Sequence, residues 1–261
     1  MLKGVGMQIT DFIPGSAILR FVKALVGLAV VYLLLRASGF HRLLANDTEG
    51  IGVLLQVVGT LYSVLYAFAT YVVCGQFTAV ESEIFKESAA LQDLVLFSGR
   101  WKAPAREPIL QAGRVYARAV ADTEWKALAQ CDPTEKTDRL FAEIVSAVTE
   151  VKAEDEDQRT IYGRLLDIAD QACVHRGERL SLSVKRIPRT LMALVTLTAA
   201  TIVFLLFLYA FRSTLLGLVS LAVTTMLLWL TYFVITDLDN PFTGTWNVVS
   251  TPFEQLLKKA R

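Results

Sequence analysis

The stretch Ile51–Phe77, IGVLLQVVGTLYSVLYAFATYVVCGQF, contains no Asp, Glu, Lys, Arg or His. A helix of about 20 mostly apolar residues crosses a bilayer, and backbone in hydrocarbon must satisfy its own hydrogen bonds. The stretch therefore predicts a membrane-spanning helix over 51–76. Its faces are unlike. Steps of four and three residues place Gly52, Gln56, Gly59, Ser63, Tyr66, Thr70, Cys74 and Phe77 on one side. Small residues let helices pack closely in lipid, and a polar, uncharged stripe can also line a water-filled conduit. The residues alone leave both readings open.

Three more apolar runs are long enough to cross a bilayer. The first span is read as 18–40, with Arg20 and Lys23 near one end and Arg36 near the other, where long side chains can snorkel to the headgroups. Spans three and four are read as 189–211 and 214–236. Only Arg212 and Ser213 separate them, which predicts an antiparallel hairpin. Pro188 suits a helix start, where a missing N–H costs least. The N-terminal segment is broken at Pro14-Gly15 and has no signal-peptide layout, so the first span is read as a retained anchor.

Four spans put both termini on one side. The flanks of that side carry Lys3, Arg20, Lys23, Lys185, Arg186, Arg189, Lys258, Lys259 and Arg261; the other side carries only Arg36, Arg42 and Arg212. The positive-inside rule then places the termini, the region 77–188 and the tail 237–261 in the cytosol. Hydrophobic residues make up 54% of the chain, which excludes a disordered polymer, and a net charge of +1 gives no general field to attract nucleic acid.

The region 77–188 reads as helical throughout. A helical period runs through Ile84, Leu91, Leu94 and Leu96 to Phe97, breaks at Pro104 and Pro108, and resumes over 109–130 with Val115, Tyr116, Ala119 and Trp125. Asp132-Pro133 with Glu135 predicts a capped start for a helix through Leu140, Ile144, Val148 and Val151. The run Glu154-Asp155-Glu156-Asp157 could attract a divalent cation. It lacks the spaced ligands and glycine of a calcium loop, so a solvated turn capping a helix over 158–185 is the better reading.

Chemistry of the enzymatic kind has no footing in the sequence. There is no nucleophile-elbow glycine pattern, no H-E-x-x-H and no phosphate-binding glycine loop. Two histidines, His41 and His175, and three cysteines without a C-x-x-C pair (Cys74, Cys131, Cys173) supply no metal set. The expectation is no catalytic residue, no cofactor and no metal, with the thiols reduced or simply buried. The fold class expected is all-α: an integral membrane protein with four transmembrane helices and a cytosolic helical region.

After span four comes Asp237-Leu238-Asp239-Asn240-Pro241-Phe242-Thr243-Gly244, read as a turn with exposed carboxylates or as a plain helix stop, then Trp246 and a short helix with Phe253, Leu256 and Leu257. With the four-span layout, Glu81, Glu83 and Glu87 before Leu91, Tyr116, Glu124-Trp125, and Arg179 with Pro188, this tail makes the chain resemble the bestrophin-like domain family of bacterial membrane proteins, from about Leu19 to Leu257. Asn240-Pro241-Phe242 and Gly244 are similar to the Asn-Pro-Phe-Gly motif of true bestrophins, pentameric ion channels whose second span lines the pore.

The resemblance implies a homo-oligomer, a pentamer by preference, in the lipid bilayer of a bacterial inner membrane, passing small inorganic ions along the ladder of span two. Tyr66 would face the axis as a constriction or pack with Tyr62 and Tyr71 between spans. Glu81 would stand at the cytosolic mouth and bias cations, and Asp237 and Asp239 would line the cytosolic side. In true bestrophins the motif runs into acidic residues that help bind calcium. Here Thr243 is inserted and Thr245-Trp246-Asn247-Val248 follow Gly244, so that calcium site does not carry over. The other reading is a non-conducting membrane scaffold or sensor whose cytosolic helices dock a partner.

Overall fold

The structure, a computed structural model, describes residues 14–101, 106–130, 132 and 135–259. Lys3, Pro104, Cys131, Pro133 and Arg261 lie outside the described residues, and with them most of the Asp132-Pro133 cap. The described residues form helices and no strand: α1 Gly15–Ala37, α2 Phe40–Leu43, α3 Thr48–Ser98, α4 Arg106–Ala119, α5 Trp125–Ala129, α6 Glu135–Thr149, α7 Glu156–Ser183, α8 Arg189–Leu208, α9 Thr214–Leu238 and α10 Thr251–Lys259. A π-helical turn, Val120–Glu124, joins α4 to α5. The described residues divide into two compact units, one from 14–73 with Ile187–Asp239, the other from within Cys74–Arg186 with 240–259.

In the first unit, α1, the N-terminal half of α3, α8 and α9 are each long and apolar enough to cross a membrane. Their shared interior is small: Tyr32, Leu206 and Leu221, with Leu28, Leu55, Val203, Phe207 and Phe211 packed around them. Phe21 stacks on Trp229 at 4.5 Å. Most other large apolar side chains, such as Leu34, Val57, Val64, Leu197 and Leu215, point outward. That arrangement suits lipid as the solvent rather than water. The tightest approach is at Gly217, where the Tyr32 ring lies so close that a Cβ would collide with it.

Arg36 has partners within the unit: its guanidinium donates to the carbonyls of Phe211 (2.7 Å) and Arg212 (3.0 Å) in the α8–α9 turn. The turn runs from Tyr209 to Ser213, so its carbonyls are free of helical partners, and Arg36 meets that need with two charge-assisted bonds. Pro188 is the residue before α8 rather than its first member, and its carbonyl accepts from Leu191 and Met192.

The second unit has a conventional core. Val80, Ile84, Leu91 and Leu94 of α3 meet Ile109, Tyr116 and Val120, then Phe141, Ile144 and Val148 of α6, Leu165, Ile168 and Ala172 of α7, and Phe242, Phe253 and Leu256 of the tail. The acidic run does cap α7: Asp155 accepts from the Gln158 N–H (2.7 Å), and the Gln158 side chain accepts from the Glu154 N–H (2.9 Å).

Candidate functional site

α3 is one uninterrupted helix of 51 residues, about 77 Å at 1.5 Å per residue. The hydrocarbon layer is about 30 Å thick, so the helix exceeds any span. In the first unit it presents three surfaces. Ile51, Tyr62, Ala69 and Val73 are buried along one stripe, where the Tyr62 hydroxyl meets that of Thr231 on α9 at 2.5 Å. The ladder of small and polar residues is centred about 85° round the helix from that stripe. Large apolar residues, Val53, Val57, Leu61, Val64 and Phe68, are exposed on the remaining side.

The ladder is therefore distinct from the helix's own packing seam. Gln56, Ser63 and Cys74 are exposed, Gly52, Gly59, Tyr66 and Thr70 are half-buried, and Glu81 is exposed further along. Tyr66 stacks parallel to Tyr62 at 6.2 Å, whereas Tyr71 is largely exposed. Ser63 and Thr60 bond back to helix carbonyls. Thr70 differs: its hydroxyl is buried and finds no hydrogen-bond partner among the described residues. Phe77 also differs, packing against the core of the second unit.

The motif after span four is ordered by its side chains, and the expectation of exposed carboxylates is corrected. α9 continues to Leu238, so Asp237 lies in its last turn. The half-buried Asp239 accepts from the Ile187 N–H at 2.7 Å, tying the start of span three to the end of span four. Asn240 donates to the Ala129 carbonyl (3.0 Å) and accepts from the Phe242 N–H (3.3 Å). Pro241 and Phe242 are buried, the latter edge-on to Trp125 at 5.3 Å. Gly244 adopts φ 83°, a conformation that favours glycine. Asn240, Pro241 and Phe242 are committed to backbone and core, and Asp239 to the Ile187 N–H, while Asp237 is half-buried.

What the sequence reading missed is a buried charge network in the second unit. Glu87, Glu124 and Arg179 are fully buried and Arg176 nearly so. Arg179 Nε donates to Glu87 at 2.6 Å, and its Nη1 to Glu124 at 3.2 Å. Arg176 donates to the same Glu124 oxygen (3.2 Å), to the Tyr116 hydroxyl (2.7 Å) and to Asp138 at the rim (2.6 Å). Tyr116 in turn donates a short hydrogen bond to Glu87. The guanidinium of Arg176 lies over the rings of Tyr116 and Phe141, and that of Arg179 over Phe253. Two cations against two buried anions and one rim anion keep the cluster close to neutral, the condition on which buried ions are tolerable.

The titration of these groups follows from the same geometry. Burial and the neighbouring Glu87 carboxylate raise the Tyr116 hydroxyl well above its ordinary value. Burial works against the two guanidinium charges, but Tyr116 and Glu124 around Arg176, and Glu87 with Tyr116 around Arg179, outweigh it and hold both above the ordinary arginine range.

The π turn is what completes the network. Tyr116 and Glu124 are eight residues apart, which on a regular helix would set them about 80° apart. One residue absorbed in a wide turn makes the pair effectively seven apart, about 20° from alignment. Both then face Arg176. A signal was present in the sequence: Glu87 falls within the apolar stripe Val80, Ile84, Leu91, Leu94, and Arg176 and Arg179 continue the stripe Leu165, Ile168, Ala172. Charges on a core stripe need partners on facing stripes.

Near this core, His175 Nδ1 lies 2.7 Å from Glu83, which also bonds Lys86 at 2.6 Å. Burial would raise the Glu83 carboxyl, but Lys86 and His175 outweigh it and hold it below its ordinary value. Cys74 and Cys173 are free and exposed, not buried. No group of three or more metal-ligating side chains occurs among the described residues.

One unit with four helices long and apolar enough to cross a membrane, and another with a water-type helical core, define an all-α integral membrane protein. The bestrophin-like domain model matches residues 22–253, and the chain belongs to that family. Its fold is that of solved structures of a bacterial bestrophin homolog from Klebsiella pneumoniae. One, carrying a point mutation, has a TM-score of 0.71 at 12% identity over 94% of this chain and 99% of that one. A second has a TM-score of 0.68 at 12% identity, over 93% and 95%. No curated protein matches the chain.

Proposed function

We propose that this chain is the protomer of an ion channel, a homo-oligomer with five subunits favoured by the family, whose pore is lined by α3 through Gly52, Gln56, Gly59, Ser63, Tyr66, Thr70 and Cys74. The observation that carries the reading is the uncharged flank of α3, offset from the helix's packing seam and partly exposed in the single protomer, with the Thr70 hydroxyl within it buried and unpartnered among the described residues. In lipid alone such groups are unfavourable; around an axis they face water and ions. With no fixed charge in the ladder, selectivity rests on dehydration, on hydroxyl and aromatic groups, and on charges at the mouths such as Glu81. Both termini and the helical region stand in the cytosol, with the spans in α1, the N-terminal half of α3, α8 and α9.

Purified protein in liposomes should pass current or dye-detected ion flux, and native mass spectrometry should give an oligomer above a dimer. Cys74 is a reporter already in place: a charged thiol reagent should block the current, and Cys74→Ser should abolish the block. A cysteine in the 36–50 loop of a cysteine-free chain should react with an impermeant maleimide from outside, and one near Glu154 should not. Flux insensitive to thiol reagent would move the pore away from α3. Silence over a range of salt, pH and voltage would favour a docking scaffold.

A further inference from the structure

The connection between α1 and α3 is held down by one side chain. Between Tyr32 and Ile51 the only buried residue is His41, 7% exposed, in the four-residue helix α2. Gly39, with φ 78°, precedes α2 in a conformation that favours glycine. The short turn Ala45–Asp47 that follows contributes no buried residue. The His41 ring lies edge-on to Tyr32 at 5.4 Å and to Phe40 at 6.5 Å. Tyr32 is fully buried and packs its hydroxyl against Gly217 in the first turn of α9. A single imidazole therefore fastens the connection to the α1–α9 contact.

That fastening is polar and unsatisfied. Both His41 ring nitrogens and the Tyr32 hydroxyl are buried, and none has a hydrogen-bond partner among the described residues. Neutral imidazole carries one donor and one acceptor; protonated, it is a cation with two donors. A buried cation needs acceptors or a counter-charge, and the neighbouring elements supply neither. Arg36 on α1, Arg42 on α2 and Arg212 in the α8–α9 turn are cations themselves. Asp47 and Glu49, leading into α3, are exposed and do not pair with the ring. At this end of α8 and α9 the titratable group is the Tyr209 hydroxyl; Arg189 and Asp237 lie at the far ends of those helices. In water, by contrast, both nitrogens find partners in either protonation state.

We infer that His41 is a proton-operated latch. With the ring neutral, α2 lies on Tyr32. With the ring protonated, it leaves that contact, and residues 38–47 swing away about Gly39, uncovering the Tyr32 hydroxyl and the start of α9. The sign follows directly: the released ring binds a proton that the seated ring does not accommodate, so acid favours release. The latch belongs to the first unit alone and does not depend on the ion-channel reading.

Hydrogen exchange read by mass spectrometry on the detergent-solubilised full chain tests it, between about pH 8 and 5, the window in which histidine works as a switch. Exchange over residues 38–47, corrected for the intrinsic effect of pH on amide exchange, should quicken on acidification by up to about tenfold per pH unit, the limit for one linked proton. His41→Phe keeps a ring on Tyr32 but takes up no proton, and should flatten the profile. His175→Gln, which removes the chain's other histidine, should leave it unchanged. A merely structural His41 would instead shift exchange in His41→Phe equally at every pH and keep the slope. Should His41→Phe fail to fold by circular dichroism, 13C-histidine NMR of the His175→Gln chain follows the native His41 ring directly, and its protonation should coincide with the rise in exchange. A flat profile in the wild type, a slope that survives in His41→Phe, or a ring that titrates without any change over 38–47 would overturn the latch.

Discussion

Replacing Arg179 by Met tests whether the buried charge network holds the helical unit together. Methionine keeps an unbranched apolar stem against Phe253 but removes the 2.6 Å bond to Glu87 and the 3.2 Å bond to Glu124. Glu124 retains Arg176. Glu87, fully buried, retains only the Tyr116 hydroxyl among the described residues. Leaving one buried ion without its partner costs about 3–5 kcal/mol, whereas the lost cation–π contact accounts for about 0.5–2. At roughly 2–4 °C per kcal/mol for a chain of this size, the thermal midpoint should fall by about 10 °C. Trp125 sits against this core, so its fluorescence at a fixed scan rate is a suitable monitor. Adding Glu87→Gln to Arg179→Met removes the orphaned anion and should restore more than half the loss. If Arg179→Met melts with the wild type, the ions contribute nothing net. If the double variant is no better than the single, the loss is packing and the electrostatic account fails.

Within the proposed pore, Tyr66→Ala should widen the narrowest ring and raise single-channel conductance, while Ser63→Ala should change it modestly; unchanged conductance in an assembled Tyr66→Ala channel would place the constriction elsewhere. Glu81→Gln should lower the cation-to-anion permeability ratio more at low than at high salt, because a mouth charge is screened within about 8 Å at physiological ionic strength; a salt-independent shift would contradict a mouth position. Because Lys86 and His175 hold Glu83 below its ordinary value in the folded protein, its contribution is complete above the ordinary glutamate pKa of about 4.3 and disappears as pH falls through the lowered one. Glu83→Gln should therefore lower the thermal midpoint near neutrality and converge with wild type at strongly acid pH, and a gap that persists there would rule out the ion pair as its cause.

The spans were legible because the rule behind them is local: a long uncharged run has few stable fates other than a helix in lipid. Charge partners went unread where they lie far along the chain. Arg36 was given no protein partner because the carbonyls it serves belong to Phe211 and Arg212, some 175 residues away. Asp239 was read as exposed because nothing near it in sequence announces the Ile187 N–H. Glu87, Tyr116, Glu124 and Arg179 were noticed one by one, as marks of resemblance, while their meeting in one network depends on packing four segments together. The π turn defeated periodicity altogether, since a pattern read at 3.6 residues per turn carries Glu124 to the wrong side.

That turn also has a bearing on how the family's history should read. A wide turn of this kind is what a helix makes of a single inserted codon, since the surplus residue is absorbed locally while the flanking turns keep their contacts. The surplus residue here brings an acid to two buried arginines, so the three are expected to have been gained and lost together. Relatives shorter by one residue between Tyr116 and Trp125 should also lack the carboxylate and at least one of the guanidiniums, and an alignment that closes the gap elsewhere would conceal the linkage.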